Sequence, residues 1–437
     1  MSEMRVAIGG LGTVGTGLIS ILTTEGAERA PRPLTVTAVS ARNRQRDRGI
    51  DLSRFQWFDD PVAMASAPGA DVYVELIGGE DGVAKASVEA ALASGKHVVT
   101  ANKALICRHG LSLARLAEEN DVALRFEAAV AGGVPVVRGL RDGLAQTQVR
   151  AVLGVLNGTC NFILSEMAET GAGFEETLLE AQRLGFAEAD PSFDVGGVDA
   201  AHKLVILTAL AFDAMPRLED VDLTGIDIVS GDDIDAAKRL GMRIKLVAEA
   251  VRRGKGLSLR VGPALVPDTE RIAQTMGSDN IVVVEASPVG RVAFSGPGAG
   301  SGATATAVAA DLVTIARGAT GPVFSVPSSR IEEAPTITSE DTSDPYFLRL
   351  EVDDEPGVLA QVTSVLAEFS VSVDTISQSA AADANPGEGA SPVEVVLTTH
   401  GIARPSVEPM LKSLAALPSV HGKSSMFPIL REEEAVL

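Results

Sequence analysis

RVAIGGLGTVGTGLISILTTE, residues 5–25, is the stretch from which the fold can be read. The apolar run RVAIGG predicts a short buried strand. Gly10, Gly12 and Gly15 then follow in G-x-G-x-x-G spacing, and GTGLISILTTE has the composition of a helix. The motif alone is weak. It gains force from the strand before it, the helix after it and a second strand, LTVTAVS, at 34–40. The first glycine permits a tight turn, the second lets a pyrophosphate approach the backbone, and the third lets helix and strand pack closely. The helix N-terminus adds partial positive charge. A glycine-rich turn with no ligand is the competing reading, and a dinucleotide site is the expected one.

A site selective for NAD would place Asp or Glu at the end of the second strand. That strand instead runs into SARNRQR, with Arg42, Arg44 and Arg46 in reach of a 2′-phosphate. NADP is therefore the expected cofactor and Arg42 its best contact. NAD stays open, because a solvated basic loop would read the same way. Strand–helix alternation continues through DVYVELIGG (71–79), the helix AKASVEAALASG, KHVVTANK (a strand ending in Lys103) and ALRFEAAV (123–130, a strand). The expected fold class is α/β with a Rossmann-type doubly wound parallel sheet. Ligands gather at the carboxyl ends of such strands, where Glu75, Asn102, Lys103 and Glu127 fall.

From about residue 147 the pattern changes. QVRAVLGVLNGTCNFILSEM reads as strand, turn and helix, and FEETLLEAQRLG as an amphipathic helix. A second α/β segment is expected beyond, with a helix through IDAAKRLGMRIKLVAEA and strands near SLRVGPALV and NIVVVEAS. A turn containing Gly296, Gly298 and Gly300 then feeds a long small-residue helix. Between the two α/β segments lies GFAEADPSFDVGGVDAAHK, residues 185–203, with Glu188, Asp190, Asp194 and Asp199 ahead of Lys203. Asp199 and Lys203 are four apart, so on a helix they share a face and can pair. A lysine held and partly desolvated in this way has a proton usable for chemistry. An ordinary ion pair at a helix start would show the same spacing. Lys103 is a second candidate ammonium, or a surface lysine after a strand.

Composition narrows the classes. The 437 residues carry a net charge of −21 with no basic stripe, which argues against nucleic acid. Cys107 and Cys160 fit a reduced, cytoplasmic protein with neither a disulfide framework nor paired metal-ligand spacing. The most apolar run, LVILTALAF at 204–212, is about half of what a bilayer requires, and the chain starts directly into a strand, so neither a membrane span nor export is expected.

IGGLGTVG, TANK (100–103), FEAAVAGGVP (126–135), NGTCNFIL (157–164), the 185–203 stretch and SGPGAG occur in order, and together they resemble a homoserine dehydrogenase over roughly the first 320 residues. The resemblance implies NAD(P)H-dependent, reversible reduction of L-aspartate 4-semialdehyde to L-homoserine, in threonine, methionine and isoleucine biosynthesis. It implies a homodimer or homotetramer. Lys203 matches the proton donor, Lys103 the lysine near cofactor and substrate, Asp199 the carboxylate beside the catalytic lysine and Glu188 the partner of the substrate amino group; Asp194 joins Glu188 as a substrate-binding candidate. Gly10, Gly12, Thr13, Val14 and Gly15 match the phosphate turn, and Gly300 a later cofactor contact. Glu127, Val130, Gly132 and Val134 match positions that hold a monovalent cation, usually Na+. The chemistry agrees: hydride addition to an aldehyde creates an alkoxide that needs a cationic donor, and an amino-acid substrate needs a carboxylate for its own ammonium. Zinc is not expected, because His202 and Asp199 lack a third ligand at suitable spacing.

The expected organisation is a nucleotide-binding domain at 1–140 and a catalytic and dimerisation domain at 141–318, whose last helix, 303–318, is a candidate to pack back on the first. A linker at 319–345 is followed by a third unit at 346–430. That unit reads YFLRLEV, DDEPGVLA, QVTSVLAEFS, VSVDTIS, PVEVVLTTH, PSVEPMLKSLAAL and VHGKSSMFPIL, a βαββαβ order. It resembles an ACT domain, with the turn of that family at Asp354 to Ala360. The resemblance implies an amino-acid effector, threonine as end product, while a unit that only aids assembly would look the same. Two other readings compete for the whole chain: a semialdehyde dehydrogenase using Cys160 as nucleophile, and a non-catalytic sensor of nucleotide and amino acid.

Overall fold

The computed structural model describes residues 3–23, 30–333, 343–380 and 392–430. The first unit is a parallel six-stranded sheet in the order β3-β2-β1-β4-β5-β6. Its elements are β1 (Met4–Gly9), α1 (Thr13–Thr23), β2 (Leu34–Ser40), β3 (Gln56–Phe58), α2 (Pro61–Ser66), β4 (Val72–Glu75), α3 (Val83–Ala93), β5 (His97–Thr100), α4 (Lys103–Glu119) and β6 (Leu124–Arg125). β1 and β4 are sealed on both faces, which is why they read as continuous apolar runs rather than alternating ones.

Two boundaries depart from the sequence reading for identifiable reasons. β5 stops at Thr100, and Lys103 opens a helix instead of closing a strand, because the buried Asn102 side chain caps α4 by accepting from the Leu105 N–H at 3.1 Å. ALRFEAAV is a strand only over Leu124–Arg125. Glu127–Ala129 forms a 3-10 turn, fixed when the Glu127 N–H donates to Asp311, 184 positions away, at 2.8 Å.

The second unit is a mixed sheet in the order β12-β11-β7-β9-β10-β8. It comprises β7 (Gln148–Val155), α5 (Gly158–Thr170), α6 (Phe174–Leu184), α7 (Ser192–Val195), α8 (Val198–Phe212), β8 (Asp222–Leu223), α9 (Gly231–Arg239), β9 (Met242–Arg253), β10 (Gly256–Pro267), β11 (Asp279–Ser287), β12 (Gly290–Pro297) and α10 (Ser301–Ala316). The helix expected through IDAAKRLGMRIKLVAEA ends at Arg239, and its second half is β9. Gly241, at φ +69°, breaks the chain direction, and β9 then pairs with β10 along its whole length. α8 is buried on nearly every face, from Asp199 to Phe212, so it shows no amphipathic stripe. α10 packs back on α1: a Cβ on Gly17 would lie 2.8 Å from Ser301 Oγ and 3.4 Å from the Ala305 Cβ.

Of the stretch expected as a linker, residues 334–342 lie outside the described residues, and 319–333 form a packed strap. Phe324, 1% exposed, sets its ring 5.6 Å from that of Phe126, and Arg125 donates to the carbonyls of Ala319 and Pro322 at 3.0 and 3.1 Å. Its small and polar residues hide a role that depends on the buried side chains of Val323, Phe324 and Ile331 and on carbonyls used as acceptors.

The third unit is an antiparallel sheet in the order β14-β15-β13-β16, made of β13 (Tyr346–Val352), α11 (Val358–Glu368), β14 (Val373–Ala380), β15 (Val393–Thr399), α12 (Val407–Ala415) and β16 (Val420–Pro428). The segment 381–391 between β14 and β15, a glycine-rich loop by its sequence, lies outside the described residues. Within the sheet Phe347 and Phe427 stack 6.3 Å apart, and both belong to the same buried apolar core as the second unit; Arg349 adds a polar link, its Nε donating to the fully buried Asp233 at 2.7 Å. No helix among the described residues is long and apolar enough to cross a membrane.

Candidate functional site

The glycines of the first turn divide by what surrounds them. A Cβ on Gly10, at φ +101°, would lie 2.3 Å from the Leu76 carbonyl oxygen, and one on Gly15 would lie 2.2 Å from that of Gly10. The fold itself demands those two. A Cβ on Gly12 would meet nothing within 4 Å, so its bareness serves whatever approaches from outside. The Thr13 carbonyl accepts from Ser301 Oγ at 2.7 Å, bringing Gly300, the cap residue of α10 at φ +108°, beside the same turn. Val14 follows in the first turn of α1.

A cleft of about 860 Å³ runs from this turn along the end of β2, with Arg42, Arg46 and Arg48 on its wall. Arg48 is spent on shape. Its guanidinium donates to the carbonyls of Leu11, Arg46 and Asn43 at 3.1, 2.8 and 2.7 Å, clamping the loop onto the glycine turn. Arg44 lies over the Trp57 ring, 5.7 Å from its centroid. Arg42 and Arg46 are left exposed on the cleft. The basic run was legible in the sequence, whereas the separation of a clamping arginine from contacting ones was not.

The chemical cluster lies where α4 meets α8. Asp199, 5% exposed, accepts from Lys203 Nζ through Oδ2 at 2.8 Å and sits 3.1 Å from Lys103 Nζ through Oδ1. Lys203 also donates to the Leu156 carbonyl at 2.7 Å. Burial by itself would raise the Asp199 pKa, but the two ammoniums and the Asn157 amide overcome it and hold the carboxyl well below the usual range. Lys103 is the first residue of α4, where an ammonium opposes the helix dipole. Asp199 offsets that cost.

Asn157 is the organiser that the sequence reading did not single out. Its Oδ1 caps α5 by accepting from the Cys160 N–H at 2.7 Å, and its Nδ2 donates to Asp194 at 2.8 Å and to Asp199 at 2.9 Å. An Asn just before a helix was the available signal. Asp194, on the single turn α7, is pushed up by burial, with Asp199 adding to the rise and Asn157 opposing it. Glu188 is exposed in the loop between α6 and α7, its carbonyl accepting from Gln182 at 3.0 Å. Thus the fold joins Lys103, Asp194, Asp199 and Lys203, while Glu188 stands apart from their hydrogen bonds. His202 is buried, and burial followed by the charge of Lys103 lowers its pKa, keeping the ring neutral near pH 7.

Cys160 cannot serve as the nucleophile of a semialdehyde dehydrogenase. It is fully buried, its Sγ donates to the Asp194 carbonyl at 3.2 Å, and desolvation drives the thiol well above its usual pKa. Glu75 is likewise committed to structure: it is buried and accepts from the N–H groups of Ile77 and Gly78 at 2.7 and 2.9 Å. Glu127 closes the turn at 136–138, accepting from the N–H groups of Val137 and Arg138 at 2.9 and 3.0 Å. Close by, Ala131 and Gly132 have φ of +53° and +51°, and the buried carbonyls of Val130 and Gly132 accept no hydrogen bond among the described residues. No group of three or more His, Cys, Asp or Glu side chains poised for a metal occurs among the described residues.

A doubly wound sheet with a dinucleotide turn, joined to a unit that brings a second lysine to a buried aspartate, defines the class: an NAD(P)-dependent oxidoreductase. The chain belongs to the homoserine dehydrogenase family. Family models match residues 10–127 (homoserine dehydrogenase, NAD binding domain), 135–313 (homoserine dehydrogenase) and 346–419 (ACT domain). The homoserine dehydrogenase of Pseudomonas aeruginosa is 40% identical over 433 residues, which is 97% of this chain and 98% of that one. The crystal structure of a homoserine dehydrogenase from Thiobacillus denitrificans matches with a TM-score of 0.90 at 38% identity, covering 98% of this chain and 99% of that one. A hyperthermophilic archaeal homoserine dehydrogenase in complex with NADPH is 26% identical, covers 72% of this chain and 97% of that one, and has a TM-score of 0.62. Family membership also removes the reading of a non-catalytic sensor.

Proposed function

We propose that Lys203 is the proton donor as L-aspartate 4-semialdehyde is reduced to L-homoserine, and that Asp199 and Lys103 complete the catalytic group. One observation carries this reading. An ammonium has three N–H donors, and Lys203 commits two, to Leu156 and Asp199, leaving the third for a substrate oxygen. Asp199 stays ionised, so it fixes both lysines without competing as an acid. Asp194, whose burial disfavours its charge, gains by binding a cation, and the substrate ammonium fits it, with Glu188 as the outer partner. The nicotinamide cofactor, when bound, supplies the hydride.

NADP is the proposed form of the cofactor. It would lie on Gly10, Gly12, Thr13, Val14 and Gly15, with Gly300 alongside and Arg42 on the 2′-phosphate; the cleft wall and the lack of an acid at the end of β2 support this. The carbonyls at Val130 and Gly132, free of donors and turned by two successive left-handed residues, fit a monovalent cation, with Glu127 and Val134 completing the set and Na+ the expected ion. The ACT unit is assigned to feedback inhibition by threonine, and the assembly to a homodimer or homotetramer in the cytoplasm. The test is an assay of NADPH and NADH oxidation with aspartate semialdehyde, with and without threonine, on the parent chain and on Lys203→Ala. NADPH should be preferred, threonine should inhibit, and the variant should lose turnover while still binding NADPH. Full turnover in the variant refutes the proton donor, and insensitivity to threonine refutes the regulatory role.

A further inference from the structure

α7 is a one-turn helix pinned on both sides. Asp194 accepts from Asn157 at 2.8 Å, the Asp194 carbonyl accepts from Cys160 at 3.2 Å, and the Val195 carbonyl accepts from the Ile226 N–H at 2.9 Å. Phe193 therefore stands on a rigid support. It is 42% exposed, unusual for a large apolar side chain beside a polar site. Two contacts account for it. The Lys103 ammonium lies 5.6 Å from the ring centroid, within cation–π range, and the His202 ring meets Phe193 edge-on at 5.5 Å and 67°. His202 is buried and its Nδ1 has no hydrogen-bond partner among the described residues, so its contact with Phe193 is the edge of a neutral ring backing the phenyl.

We propose that Phe193 is a positioning residue for Lys103: its ring, propped by His202 on the fixed turn α7, holds the ammonium against Asp199. A lysine side chain that is a third exposed has several rotamers open to it, and Asp199 reaches it through only one oxygen. A ring face attracts the ammonium without neutralising it or competing for its protons, so the donors stay available to Asp199 and to ligand. The ring also removes water from one side of the Lys103–Asp199 pair, which strengthens that pair. If Lys103 swings into solvent, Asp199 loses one of two cations and its charge falls wholly on Lys203. This inference rests on the assignment of the two lysines to the reaction.

The experiment compares Phe193→Leu, Phe193→Met, Phe193→Tyr and Lys103→Met in the full-length enzyme, reading kcat and KM for homoserine, NADPH binding and Tm. Phe193→Leu keeps an apolar side chain but loses the ring face, and should lower kcat/KM about two- to five-fold, the factor expected for a partly exposed cation–π contact. Tm and NADPH binding should not move. Phe193→Tyr, which keeps the ring face, should restore the parent value, whereas Phe193→Met, which approaches the ring's volume without a π face, should lose as much as Phe193→Leu. Recovery in Phe193→Met would assign the effect to volume and overturn the proposal. Unchanged kcat/KM in Phe193→Leu, or equal losses in Leu and Tyr, overturns the proposal while leaving the lysine assignment standing. Full activity in Lys103→Met instead overturns the assignment beneath it.

Discussion

Asp199→Asn is the sharpest perturbation of the site, because it removes one charge and almost no volume. In the parent chain the carboxylate lies 2.8 Å from one ammonium and 3.1 Å from the other. At an effective dielectric of about 20, each contact of this length is worth about 5 kcal/mol before desolvation is subtracted. Breaking a buried pair of this kind costs about 3–5 kcal/mol net. The substituted amide must also point its NH2 at one of the ammoniums, so either Lys203 or Lys103 is displaced. If about 3 kcal/mol of that loss falls on the transition state, kcat/KM drops a little over 100-fold. The assay is steady-state NADPH oxidation with aspartate semialdehyde and homoserine oxidation in reverse, beside NADPH binding by fluorescence. NADPH affinity should be retained, since none of the three groups belongs to the glycine turn. A loss smaller than tenfold, or one explained by weakened NADPH binding, refutes the reasoning.

The glycine turn and a buried lysine give two further tests. Gly12→Ala should leave Tm unchanged yet weaken NADPH binding, because the new methyl projects into open space, whereas Gly10→Ala should lower Tm through its clash with Leu76; equal effects on Tm would show that the two positions are not distinguished as described. Lys245 is 2% exposed and held by Asn161 and Thr275 at 2.8 and 2.7 Å, and burial, followed by the charge of Arg243, pushes its pKa down to about 8. A lysine lowered in the folded state penalises stability fully below that value, and the penalty is relieved as pH rises toward the unfolded pKa of about 10.4. Chemical denaturation at pH 7.5 and 9.5 should therefore show a Lys245-dependent gain of about 2 kcal/mol that Lys245→Met lacks; the same pH dependence in both chains would contradict a depressed Lys245.

What the sequence determined by itself is the part of the protein written in local pattern. The glycine spacing between a strand and a helix, the apolar runs of a parallel sheet and the four-residue step from Asp199 to Lys203 are each set by neighbouring residues, and so could be read from order alone. The sequence of β9 reads as helix because a strand buried in mid-sheet need not alternate, and Gly241 is the local mark of the break. Residues brought together across long separations required the tertiary structure. Lys103 meets Asp199 only because the Asn102 cap starts α4 there, and Asn157 reaches two aspartates from a loop some 40 positions away. Arg48 differs from Arg42 only in the carbonyls that happen to surround it. Phe193 reads in sequence as one more apolar side chain. A charge or a ring carries its type in the sequence, but its partner, its burial and hence its pKa are properties of the packed chain.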